Sequence, residues 1–222
     1  MNVIDALNSR FTVRAFKPDP LESGKILTIL DAATRAPSSG NSQPWELFVA
    51  SGDALERLRQ RFVECFRTEV PSNPDLPAPQ QWPHALQKRM DEAKAARFEF
   101  LGINRDDTAA RRAMFALAFQ FFGAPTVIYL CLDRALTAWS IFDMGLLAQS
   151  IMLAAQQYGI DSTVAALLVS YSDLIRAELG IPENLLILIG IALGYRDPQY
   201  PLNRYRSSRR PLQEVVRMKG FP

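Results

Sequence analysis

Residues 137–158 read as one long helix that is apolar nearly all round. Ile141, Phe142, Met144, Leu146, Leu147, Ile151, Met152 and Leu153 leave it no broad polar face. A helix of this kind has to be buried on several sides. A chain of 222 residues can build one large core around it. Part of the helix is expected to meet a second subunit. Gly159 supplies its end, since glycine accepts the left-handed backbone that closes many helices.

The other segments fall around it. Strand patterns occur at 46–50, 125–132, 163–169 and 185–193, the last being the strongest. Helical patterns occur at 2–8, 21–35, from Asp53 to Arg67, 84–100, 108–122 and 172–179. Asp106 and Asp107 are suited to cap the helix after them. Five prolines between positions 71 and 83 predict a loop, suited to a mobile lid. The whole chain, 1–222, reads as a single domain, with 71–122 as an excursion from its core. From Gly194 onward a proline- and arginine-rich arm follows. Strands separated by helices, with long helices packed on a sheet, give an α+β fold class.

Several function classes drop out. The net charge of +2 provides no global drive toward nucleic acid, although Arg204, Arg206, Arg209, Arg210, Arg217 and Lys219 crowd the last residues. The longest apolar run, 185–193, is too short for a membrane span, and the opening residues lack the pattern of a signal peptide. Cys65 and Cys131 show no metal spacing and suit a reducing, cytoplasmic compartment. No group of His, Cys, Asp and Glu has metal-ligand spacing. There is no Gly-x-Ser-x-Gly elbow, no Gly-x-Gly-x-x-Gly turn and no Walker A sequence, and His84 is the only histidine. If the chain is an enzyme, a bound cofactor carries the chemistry.

Two stretches could hold one. Ala36-Pro37-Ser38-Ser39-Gly40-Asn41-Ser42-Gln43-Pro44-Trp45 packs hydroxyls, amides and two φ-fixing prolines into ten residues. Such a rigid polar loop suits a planar heterocycle with many hydrogen-bonding edges. It equally fits a capped turn before a strand. Arg10, Thr12 and Arg14 alternate, so in an extended segment they share one face. Two guanidiniums and a hydroxyl can cradle a phosphate, with Arg209 available to complete the site. A solvated basic strand reads the same way.

Four motifs in order give the chain a family resemblance. They are Ser9-Arg10-Phe11-Thr12-Val13-Arg14, the loop from Ala36 to Trp45, Gly159-Ile160-Asp161-Ser162-Thr163, and Arg209-Arg210-Pro211-Leu212. Together they resemble the FMN-dependent nitroreductase family over nearly the whole length. The resemblance implies a central, mainly antiparallel sheet flanked by helices in an intertwined homodimer, with FMN at the interface. It implies that NADH or NADPH is the reductant. Nitroaromatic, quinone or similar electron-poor acceptors would be reduced by ping-pong hydride transfer through flavin N5. By matching position, Arg10 and Arg209 hold the FMN phosphate, Thr12 supports that end, and Arg14 gives electrostatic support at the pyrimidine edge. Pro37, Ser38, Ser39 and Asn41 reach the flavin from the partner subunit.

The chain departs from many relatives at Val164-Ala165-Ala166-Leu167, where they carry Glu or Gln, often followed by Gly. Contacts from Ala165 and Ala166 must therefore come from the backbone. Within the same fold, a dedicated metabolite reductase or dehydrogenase, a dehalogenase, a flavin-cleaving enzyme, or a non-catalytic flavin-binding module are the alternatives. Residues 71–122 decide between them.

Overall fold

A computed structural model describes residues 1–104 and 106–221. Its centre is a four-stranded antiparallel sheet in the order β1-β2-β4-β3, formed by β1 (Glu46–Ser51), β2 (Thr126–Asp133), β3 (Asp161–Ala165) and β4 (Leu185–Gly194). β2 is buried on both faces, and successive side chains point opposite ways. Val127, Tyr129 and Cys131 pack toward α3 (Gly52–Arg67), α5 (Thr108–Phe119) and α7 (Ser172–Leu179). Ile128, Leu130 and Leu132 pack toward α2 (Ser23–Ala33) and α6 (Ala138–Gln157). The result is an α+β sandwich of three layers with a core on each side of the sheet. Burial pushes the Cys131 thiol up to about 12, so it stays protonated and packs as a small hydrophobe.

The remaining helices are α1 (Val3–Ser9), α4 (His84–Phe100) and a short α8 (Leu212–Val215). Asn2 caps α1 by accepting from the Asp5 amide at 2.9 Å, and Asp107 caps α5 by accepting from the Ala110 amide at 2.8 Å. α6 has the length and hydropathy of a membrane span, but it lies across the sheet with Met144, Leu147 and Ile151 fully buried.

Two boundaries differ most from the sequence pattern. The apolar run expected as a strand over 163–169 is a strand only to Ala165, and Ala166–Val169 is a 3-10 turn. Leu168 drops from that turn onto Gly190 of β4, where an added Cβ would lie 2.7 Å from the Leu168 Cβ. A straight strand would forfeit that packing. The helix expected to reach residue 122 ends at Phe119. Phe121 and Phe122 then take left-handed φ of 53° and 56°. Bulky residues adopt that conformation only when surrounding structure enforces it. Here the Phe16 amide donates to the Phe122 carbonyl at 3.0 Å, and both rings are buried.

The proline-rich segment is anchored at its start. The Asn73 amide donates to the Ser170 carbonyl at 2.8 Å, and the Asp75 amide donates to the Ser172 hydroxyl at 3.1 Å. Beyond it, positions 77–83 are exposed.

Candidate functional site

The segment after α1 is extended and lies beside β3. Thr12 bridges Ser162 in parallel, the Val13 amide donates to the Ser162 carbonyl at 3.2 Å, and the Thr163 hydroxyl donates to the Val13 carbonyl. Phe11 and Val13 point into the core, so Arg10, Thr12 and Arg14 face the other way. All three line one cavity of about 380 Å³. Asn203 fixes this arrangement. It accepts from the Arg14 amide at 2.7 Å and donates to the Ala15 and Asp197 carbonyls at 2.8 Å. The C-terminal arm is thereby locked onto the segment, and it brings Arg206 and Arg209 into the same cavity.

Arg97 of α4 completes the lining. Among the described residues, five arginines therefore face one cavity, and no carboxylate lines it. The Arg206 guanidinium stacks 3.3 Å from the centroid of the Phe11 ring. Arg209 is satisfied by its own neighbourhood, donating to the Ser207 hydroxyl at 2.7 Å.

A second cavity of about 390 Å³ adjoins the first and shares Arg14, Arg97 and Leu202 with it. Ala165 at the end of β3 and Ala166 at the start of the 3-10 turn line it, together with Phe122, and Met114, Phe115 and Leu117 of α5 form an apolar wall. The Arg14 guanidinium sits 5.3 Å from the Phe122 ring centroid. Burial and the neighbouring Arg97 charge hold its pKa down to about 10. The depressed value means that the charged form is unfavourable in the folded state. That penalty is fully present below pH 10 and is relieved as pH rises through 10.

The other loop lies elsewhere on the chain. Pro37, Ser38, Ser39 and Asn41 line neither cavity. Their loop is built for a fixed shape. Gly40, Asn41 and Gln43 have φ of 58°, 57° and 46°, and the Ser38 hydroxyl accepts from the Gln43 amide at 2.9 Å. The Ser39 amide donates to the buried Asp143 carboxylate of α6 at 3.2 Å. Within one chain, then, Arg10, Thr12, Arg14, Arg209, Ala165 and Ala166 come together, whereas the 37–41 loop presents outward.

Sequence reasoning missed Arg97, Arg206, Phe122 and Asn203. Arg206 was visible in the basic arm but had no spacing to single it out. Arg97 sits on a helix with no helical asymmetry to mark its face. The lining suits a planar group that carries a phosphate at one end. The orphaned Arg97 Nε, buried without an acceptor, marks the same demand for an anion.

A model of the nitroreductase family matches residues 7–195. Nitroreductase NfnB of Mycolicibacterium smegmatis is 36% identical over 212 residues, which cover 95% of this chain and 90% of that protein. Nitrobenzene nitroreductase of Ectopseudomonas oleovorans is 33% identical over 216 residues, 96% of this chain and 94% of that protein. The crystal structure of the FMN-dependent NfnB from Mycobacterium smegmatis in complex with NADPH matches with a TM-score of 0.92 at 35% identity, covering 98% of this chain and 97% of that one. The match to the family thus takes in the arginine segment, the 36–45 loop and the 165–166 turn, and the chain belongs to the nitroreductase family.

Proposed function

We propose that the protein is an FMN-dependent oxidoreductase that uses NADH or NADPH to reduce nitroaromatic and similar electron-poor acceptors. The five-arginine cavity carries this reading, because it is cationic, lined by no carboxylate among the described residues, and adjoins a chamber with an apolar wall. The relatives named above support it. Arg10, Arg206 and Arg209 would hold the phosphate, with Thr12 beside them. Arg14 would orient the ring and hold a positive charge at its edge, a preorganised electrostatic contribution. Ala165 and Ala166 would offer backbone groups, and the α5 wall would exclude water. The chemistry that FMN supplies when bound is two-electron transfer between a nicotinamide and the acceptor.

The same reading makes the protein a homodimer, with Pro37, Ser38, Ser39 and Asn41 reaching the partner's site. Trp139 and Phe142 of α6 are 73% and 69% exposed, and Val3, Ile4 and Leu7 of α1, which lies by the other end of that helix, are exposed as well. Surface of this kind marks an interface. Phe142→Asp is expected to shift the protein to monomer in light scattering and to lower its flavin content in parallel. A dimer that persists with full flavin would refute this arrangement.

The direct test of the function is the visible spectrum of the purified, FMN-loaded protein under anaerobic NADPH or NADH. Bleaching, followed by recovery on adding nitrobenzene or a quinone, is the expected result. Flavin that neither reductant bleaches would refute the proposal.

A further inference from the structure

Asp143 is the one charged side chain of α6, and it is buried, at 3% exposure. A carboxylate taken out of water is costly unless hydrogen bonds or a counter-ion offset the loss. No ion pair among the described residues engages it. Its partner is the Ser39 amide, which donates to Oδ2 at 3.2 Å from 104 positions away. The loop on the other side of that bond otherwise closes on itself. The Asn41 and Ser42 amides donate to the Ser38 and Ser39 carbonyls at 3.0 Å, and the Gln43 amide donates to the Ser38 hydroxyl. Among the described residues, the Ser39–Asp143 contact is the one hydrogen bond that ties 37–43 to the rest of the chain. The left-handed φ of Asn41 and Gln43 needs such an anchor, because non-glycine residues hold that conformation only when other contacts fix it. The Ser39 hydroxyl and the Asn41 carboxamide make no hydrogen bond among the described residues, and both residues are exposed.

On the reading of the protein as an FMN-binding homodimer, we propose that Asp143 is a positioning residue for the flavin of the partner subunit. By accepting from the Ser39 amide it fixes the loop, and the loop then aims the Ser39 hydroxyl and the Asn41 carboxamide at the neighbouring site. Asp143 itself touches no flavin. Its contribution is a loop that arrives in one shape, so less freedom is lost when FMN binds. The same turns of α6 carry the exposed Trp139 and Phe142, so subunit association and loop placement start from one stretch of helix.

The test follows FMN binding by fluorescence titration, first in the parent protein. Asp143→Ala is expected to stay dimeric in light scattering and to bind FMN about tenfold more weakly, the effect of losing one charge-assisted hydrogen bond. Asp143→Asn keeps an acceptor oxygen and should return to within about threefold of the parent. The sharpest arm is a mixed dimer of one Asp143→Ala and one Arg10→Ala subunit, isolated through two different tags. Each site takes its arginines from one subunit and its loop from the other. One site of the mixed dimer therefore has both parts intact, and the other has neither. One FMN per dimer is expected to bind as in the parent, although both variant homodimers bind weakly. A loop that served its own chain would leave one defect in every site and no tight flavin, which would overturn the proposal. Parent-like binding by Asp143→Ala would also overturn it, as would an Asn variant no better than alanine. Flavin loss that comes with monomers would make Asp143 an association residue and overturn the positioning role. If Asp143→Ala does not fold, Ser39→Pro takes its place in both arms, since it removes the donor and leaves α6 intact. Ser38 is already extended there, at φ −143° and ψ 157°, as a residue before proline has to be. A parent protein that takes up no FMN would be recognised at the first step, and it would overturn the functional reading together with this one.

Discussion

Replacing Arg10 and Arg209 together with alanine will weaken FMN binding about a thousandfold, since each removes a charge-assisted contact of ~1.5–3 kcal/mol. Both side chains line the same 380 Å³ cavity, yet they arrive from opposite ends of the chain. Arg10 follows α1, and Arg209 lies on the arm held by Asn203. Arg10→Ala alone should lose flavin on purification more than it slows hydride transfer once flavin is saturating. Arg209 starts from a weaker position, because its Nη1 already donates to the Ser207 hydroxyl and must give up that contact. The Arg10 effect is therefore expected to be the larger. A fluorescence titration with FMN measures both. If the double variant retains its full flavin through gel filtration, the phosphate does not sit among these arginines.

The arginine segment shows what a sequence can reveal about a site. Alternation of Arg10, Thr12 and Arg14 is a local property, and an extended backbone converts it directly into a shared face. The structure adds what the pattern lacks, namely Phe11 and Val13 anchoring the opposite face in the core. Arg97 and Lys94 were illegible for the opposite reason. Their helix follows a loop of five prolines, and nothing within it says which face meets residues eighty positions earlier. The 3-10 turn at Ala166–Val169 was hidden in a similar way. Its residues are as apolar as a strand, and only the contact of Leu168 with Gly190 decides the matter. Phe121 and Phe122 could not be read as left-handed, because the constraint comes from Phe16, more than a hundred residues away. Local pattern therefore gave the elements, and long-range packing chose the conformations that shape the cavity floor.

Asp75→Ala is expected to be the most destabilising single change, at about 3–5 kcal/mol, the range for breaking a buried ion pair from one side. One Asp75 carboxylate oxygen accepts from Arg176 at 2.7 Å and from the Ile187 amide of β4 at 2.8 Å, and the other accepts from Arg134 at 2.8 Å. Arg176 is only 8% exposed and also donates to the Ile181, Pro182 and Leu185 carbonyls. Alanine at position 75 would leave that guanidinium with only the exposed Glu183 carboxylate, 3.5 Å from its Nε, as counter-ion and would orphan a strand amide. Urea unfolding of Asp75→Ala, Arg176→Met and the double variant resolves the pair as a cycle. The double variant should be more stable than the sum of the single changes predicts, because removing both charges avoids the unpaired buried one. Additive losses, or a single loss under ~1 kcal/mol, would mean that the network is a surface contact of ordinary value. The effect should also reach the site. Asp75 fastens the start of the segment that leads into α4, so loosening it displaces Lys94 and Arg97 from the cavity that Arg14 shares with them.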